Sequence, residues 1–242
     1  MCGRFTLRTP PHRLAEAFAV AEAPNLAARY NIAPTQSILA VRLDKGGRRF
    51  AALRWGLVPA WAKDRAIGAR MINARAETLA EKPAFRGLLR RRRCLIAADG
   101  FYEWQAVAGG PKQPWFIHRA DDAPFAFAGL WDRWQGAGET IESATIVTTE
   151  ANRMLAPIHP RMPVILPEAA YAPWLGEGRA EVAVLRSLLR PAPEAALVAE
   201  PVGRRVNDVR NDDPACIARA AANPVATADD AGGPGDEPVD NS

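Results

Sequence analysis

Apolar and polar positions along this chain fall into short runs whose period changes from one run to the next. In "PHRLAEAFAV", Leu14 and Phe18 recur four residues apart, which predicts a helix with one apolar face. "SILAVRL" and "RRFAALRWGLVP" read as strands joined by the turn "DKGG". "ETLAEKPAFRGLLRRR" returns to a helical period, but Pro83 interrupts it, so two short helices are expected. "RCLIAADGFYEW" reads as strand, Asp-Gly turn, strand. "KQPWFIHRA", "FAFAGLWDRW" and "SATIVTT" continue as strands, "EANRML" as a short helix, "MPVIL" as a strand and "EVAVLRSLL" as a helix. Strands this closely spaced leave no room for a repeated βαβ pattern. The expected fold is α+β: one domain with a curved antiparallel, barrel-like β core flanked by short helices.

That pattern stops near residue 222. The stretch "NPVATADDAGGPGDEPVDNS" is rich in Gly, Pro, Ala and Asp and has no apolar period, so 223–242 reads as a disordered acidic tail behind a folded domain over 2–222. It also changes the meaning of the net charge, +4 over the whole chain. With the tail's five acids set aside, 31 basic residues face 22 acidic ones, a balance of +9 that favours a polyanionic partner, nucleic acid above all. Composition is otherwise that of a soluble globular protein, 48% hydrophobic and 24% charged. No apolar run approaches the ~20 residues of a membrane span, and the N-terminus lacks a secretory pattern, so the expected location is the cytoplasm. Cys2, Cys94 and Cys216 show no C-x-x-C spacing and have only His12, His118 and His159 beside them. They support neither a disulfide framework nor a metal site, and no cofactor is expected.

The chemistry begins at "MCGRF". Methionine aminopeptidases remove Met1 when the next residue is small, and Cys2 would then carry a free amine beside its thiol. The amine (reference pKa ~7.7–8.0) and the thiol (~8.5) are both partly nucleophilic near neutrality. An aldehyde forms an imine with the amine, and the thiolate then closes a thiazolidine ring at high effective molarity. A retained Met1 would instead leave Cys2 as one more small buried residue.

Three further stretches supply partners. In "MINARAETL", Asn73 and Arg75 share a face if the segment is extended; they suit an amine and a phosphate, or equally a helix cap and a solvated charge. In "DGFYEWQ", Glu103 lies between Tyr102 and Trp104, where aromatic surroundings would raise its pKa for proton transfer; an edge-strand Glu facing water fits the pattern too. In "IHPRMPVIL", Pro160 biases His159 to an extended backbone, with Arg161 on the same side. His12 and His118 read as structural. "RWGLVPAWAKD" offers Trp55, Trp61 and Lys63 for stacking and phosphate contact with a single strand. The four arginines at 90–93 are the densest positive patch, though a helix would fan them around its axis.

Taken in order, "MCGRF", "RYNIAPTQ", "RWGLVPAWAKD", "INARAET", "RCLIAADGFYEW", "FAGLWD", "TTEAN" and "HPRMPVIL", with "RVNDVRNDDP" closing, resemble the SRAP family of SOS-response-associated peptidases or abasic-site processing proteins. The resemblance runs from Cys2 to about Asp213. It implies a protein that binds abasic sites in single-stranded DNA and crosslinks to them through Cys2, shielding the lesion from cleavage; nothing in the sequence demands more than a monomer. By motif, Cys2 is the nucleophile, Asn73 positions its amine, Glu103 transfers protons and His159 assists opening of the sugar ring. Arg4, Arg75 and Arg161 would contact phosphates, with Trp55, Trp61, Lys63 and Trp104 along the strand. The peptidase label refers to exposing Cys2, and weak lyase activity would come from an unclosed imine. Two other classes fit parts of the pattern: an N-terminal-nucleophile amidohydrolase acting on glutamine, and a non-catalytic single-strand binder.

Overall fold

The structure is a computed structural model that describes residues 2–136, 138–178 and 181–220; the acidic tail expected over 223–242 lies outside them. In chain order the strands are β1 (Phe5–Leu7), β2 (Arg29–Ile32), β3 (Ser37–Asp44), β4 (Gly47–Trp55), β5 (Asn73–Arg75), β6 (Arg93–Ala98), β7 (Gly100–Gln105), β8 (Gln113–Arg119), β9 (Phe125–Gly136), β10 (Glu139–Glu150), β11 (Arg161–Pro163), β12 (Ile165–Leu166) and β13 (Leu197–Pro201). Among the described residues four short α-helices accompany them: α1 (Pro11–Phe18), α2 (Pro83–Arg91), α3 (Tyr171–Leu175) and α4 (Val182–Ser187). None of the described helices is long and apolar enough to cross a membrane.

Pairing of β10 with β4, β4 with β3, β3 with β6, β6 with β9 and β9 with β10 closes a five-stranded ring, the barrel-like core the alternation predicts. Only the β4–β10 pairing in that ring is parallel. At one end the ring opens. Beyond Gly129↔Ile146, β9 and β10 part, and the β11–β12 segment enters between them: Ala128 donates to Val164 O at 2.9 Å and Val164 to Val147 O at 2.9 Å. The other edge of β10 passes from β4, at Ser143 and Ala144, to β5, at Ile146 to Thr148. Asn73 and Arg161 therefore arrive on the two flanks of the same strand end.

A second sheet, ordered β13-β8-β7-β1-β2, lies beside the barrel. The chain reaches it at Asp99-Gly100. The sequence reads this dipeptide as a turn between strands, but β6 and β7 do not pair; they belong to different sheets. Asp99 is buried and accepts from Thr6 Oγ1 (2.6 Å), Arg8 N (2.5 Å), Thr9 N (2.7 Å) and Thr9 Oγ1 (2.9 Å). Gly100 has no room for a side chain, since a Cβ would sit 2.3 Å from the Phe116 ring. Asp99 thus anchors the first strand from behind. Because Asp99→Ala leaves two backbone N–H groups and two hydroxyls without their acceptor, it is expected to cost on the order of 3 kcal/mol or more, read from the urea midpoint.

Phe5 holds β1 from the other side, edge-on to Trp55 (5.1 Å between ring centroids) and to Phe127 (5.8 Å). Each such pair adds about 0.5–1.5 kcal/mol beyond the area it buries. This packing corrects the expectation for Trp55. The ring is fully buried with its Nε1 donating to Ile72 O at 3.0 Å, so it offers no face to a nucleic-acid base. "EANRML" is also not a helix but a turn, closed by Ala156 N on Asn152 O (2.9 Å) and Leu155 N on Asn152 Oδ1 (3.0 Å). Pro157 and Pro160 withhold the donors a longer helix needs.

The arginines at 90–93 divide between two tasks. Arg92 pairs with Asp132 at 3.0 Å and covers the Trp131 ring, while Arg93 donates to Leu89 O at 2.8 Å and to Trp174 O. Arg90 and Arg91 are exposed.

Candidate active site

The site forms where the N-terminus crosses the open end of the barrel. Antiparallel pairing of β1 with β7 sets Phe5 opposite Phe101 and Thr6 opposite Gly100. Tyr102 N donates to Arg4 O at 3.0 Å, which extends the same register and puts Gly3 opposite Glu103. Side chains alternate along a strand, so Glu103 faces the core side with Phe101, while Tyr102 and Trp104 face the other way.

Glu103 is buried, 3% exposed, and its pKa is raised to about 7. Burial is the main cause, with nearby positive charge, Lys112 included, pulling the other way. The sequence expectation of a raised pKa agrees with this, but for a different reason. The flanking Tyr102 and Trp104 pack into a separate cluster with Phe116, Val206 and Cys216. The aromatic neighbour on Glu103's own face is Trp115, its cross-strand partner on β8, a residue that adjacency in sequence does not reveal.

Cys2 is fully buried, its Sγ 3.9 Å from Arg4 O. Burial first, and the Glu103 charge second, push its thiol well above the ordinary range. The thiol is therefore neutral at pH 7 and needs a base to react. On the opposite flank, Asn73 of β5 donates from Nδ2 to Cys2 O at 2.9 Å. Its Oδ1 is buried and accepts no hydrogen bond among the described residues. The amide is thus fixed as a donor to the Cys2 carbonyl, with its acceptor still to be used.

His159 stands at the end of the turn after β10, its Nδ1 3.0 Å from both the backbone N and O of Arg161. Its pKa is lowered, chiefly by burial, which favours the neutral ring. Gln105 Nε2 donates to Pro157 O at 3.2 Å and joins the end of β7 to this turn. The structure therefore brings Cys2, Asn73, Glu103 and His159 together from four separate segments.

The predicted phosphate contacts fare differently. Arg75 is exposed and forms no ion pair among the described residues. Arg161 is committed to Glu77, with 2.7 and 3.0 Å contacts, and to Thr148 O at 2.8 Å. Arg4 is committed as well: its Nη1 donates to Asn31 Oδ1 (3.0 Å) and Val206 O (2.8 Å), and its guanidinium lies 5.9 Å from the Trp104 ring centre. The two arginines hold the segments around the site, and their full forks are not open to a phosphate. Trp104 is half-buried, with Nε1 donating to Asn207 Oδ1 at 2.7 Å. Trp61 is 62% exposed and Lys63 is exposed, both on the loop between β4 and β5.

Sequence reasoning missed Glu77, two residues after Arg75, and the buried Asn31. Asn31 also donates to the carbonyls of Val206, Asp208 and Asn211 and so ties the closing segment to Arg4. No cluster of metal-ligating side chains occurs among the described residues. A cavity of about 620 Å³ lined by Ile165, Leu188, Leu197, Arg119 and Arg190 contains none of the site residues.

Comparison with known proteins gives the same picture of relatedness at each level. A Bacteroides thetaiotaomicron protein of known crystal structure superposes with a TM-score of 0.80 at 26% identity, covering 91% of this chain and all of that one. The abasic site processing protein YoqW of Bacillus subtilis is 42% identical over 221 residues, 90% of this chain and 99% of that protein. The abasic site processing protein HMCES of Gallus gallus is 36% identical over 199 residues, 72% of this chain and 58% of that longer protein. Residues 1–209 match the sequence model of the family described as SOS response associated peptidase, and on that match, over a fold and a site arranged as above, this chain belongs to the SRAP family.

Proposed function

We propose that this protein captures abasic sites in single-stranded DNA as a thiazolidine crosslink on Cys2, after hydrolytic removal of Met1 has freed the Cys2 amine. The observation that carries this reading is the buried Glu103 carboxyl, with a pKa of about 7, beside a buried, protonated thiol. Such a pair suits a reaction that must move protons both ways near neutrality.

An abasic deoxyribose is mostly a closed hemiacetal. Opening it requires a proton on the ring oxygen as the anomeric hydroxyl loses one, a task for His159 and Glu103 acting together. The Cys2 amine then adds to the C1′ aldehyde, forming a C–N bond, and the carbinolamine loses water to give an imine. Sγ adds to the imine carbon, and the thiol proton passes by way of Glu103 to the nitrogen. Aldehyde and aminothiol become thiazolidine and one water, with no change of oxidation state. Asn73 supports the same reading: with Nδ2 on Cys2 O, its Oδ1 can accept from the freed amine and aim the lone pair. Ring closure consumes the imine that would otherwise promote β-elimination, so the expected product is a shielded lesion and not a nick.

The test is a denaturing gel of processed protein with an abasic single-stranded oligonucleotide. A shifted band that survives heat and detergent, and whose mass is the sum of protein and DNA less one water, is the expected result. Robust release of glutamate from glutamine with no such band would instead establish the amidohydrolase reading.

A further inference from the structure

We propose that Lys112 is a DNA-phosphate contact that brackets the lesion from the side opposite Arg75, an inference that rests on the single-strand binding proposed above. The strand order across the site places it there. Asn73 and Arg75 come from β5, on the flank where Asn73 holds Cys2 O. The N-terminal segment follows, paired to β7 through Tyr102 N and Arg4 O. β8 lies on the far side of β7, with Gln113 opposite Gln105. Lys112 directly precedes Gln113, at the exposed base of the β7–β8 connection.

Two groups from different segments register this lysine. Its positive charge acts on Glu103 from β7 and on His159 from the turn after β10. Lys112 is thus within Coulombic range of both groups, on the β8 side of the site. It forms no ion pair among the described residues, and neither does Arg75, whereas Arg4 and Arg161 are already engaged. A single strand entering across Cys2 would therefore meet one uncommitted cation on each flank. A lysine suits such a place, as a mobile point charge that follows the backbone without fixing a sequence.

The experiment measures binding of an undamaged fluorescent single-stranded oligonucleotide to the full chain between 50 and 200 mM salt, for the native protein, Lys112→Ala and Lys112→Arg. One lost contact lowers the slope of log K against log salt by ~0.7, which weakens binding roughly eightfold at 50 mM and roughly threefold at 200 mM. Crosslinking to abasic DNA at sub-saturating protein is expected to slow by the same factor, and Lys112→Arg to retain the native slope. A native slope in Lys112→Ala overturns the contact; if the pH profile of crosslinking moves while the slope does not, the lysine acts only through its field on Glu103. Native protein that binds DNA with the expected slope but never crosslinks overturns the thiazolidine reading and leaves the contact standing.

Discussion

Cys2→Ala is expected to abolish the heat-stable DNA adduct completely, and so is a single residue added ahead of Cys2 that resists removal. The two variants fail for different reasons. In Cys2→Ala the amine can still form an imine, but nothing closes the ring, and the imine either hydrolyses or eliminates. That variant should therefore give nicked DNA in place of the adduct. In the extended protein the thiol is intact, but the nitrogen beside it is an amide whose lone pair is delocalised into the carbonyl, and no imine forms. It should neither crosslink nor nick. Both should keep the native affinity for undamaged single strands, because Cys2 is buried and contributes no charge there. The difference between nicking and silence is read on one denaturing gel without reductant; in a parallel lane borohydride should trap the Cys2→Ala imine as an amine-linked adduct and give none with the extended protein. An adduct formed by the extended protein would sink the proposal outright, since it would require another nucleophile.

Much of this arrangement is legible in the sequence because it is local. The i, i+2 spacing of Asn73 and Arg75 fixes a shared face once the segment is a strand, and the segment is β5. The alternating runs give the barrel strands directly. What the sequence conceals is set by partners far along the chain. Glu103 reads as a residue between two aromatic rings, yet strand alternation turns both rings away and the burial comes from the opposite strands. Trp55 belongs to the same motif as Trp61, but one is core and the other is 62% exposed, because Trp55 ends β4 while Trp61 lies in the loop beyond it. Arg161 looks free until Glu77, folded back from β5, meets it. The Asp-Gly corner carries a turn signal with no hairpin, since local propensity does not say which sheet the next strand joins.

Glu103→Gln is expected to slow crosslinking by about 10²–10⁴-fold while making the protein more stable at pH 8. The sign follows from the direction of the shift. The carboxyl has an ordinary pKa of 4.5 when unfolded and about 7 when folded, so between those values the folded state holds a proton that the unfolded state has lost. The contribution of Glu103 to stability is then greatest below about 4.5, falls as pH rises toward 7 and levels off above it. The full difference is worth roughly 3 kcal/mol. Gln keeps the size of the side chain and cannot ionise, so the variant should match the native protein near pH 4 and exceed it by up to that amount at pH 8. Urea midpoints at both pH values provide the measurement. The native rate should also show an inflection near pH 7, where Glu103 becomes able to take the thiol proton, and the Gln variant should lack it. An inflection that persists unchanged in Glu103→Gln would assign the proton transfer to another group, leaving the cost of burying this carboxyl unexplained. A cost of this size, on the strand that pairs with the N-terminal segment, is what the proposed proton transfer would explain and the fold alone does not.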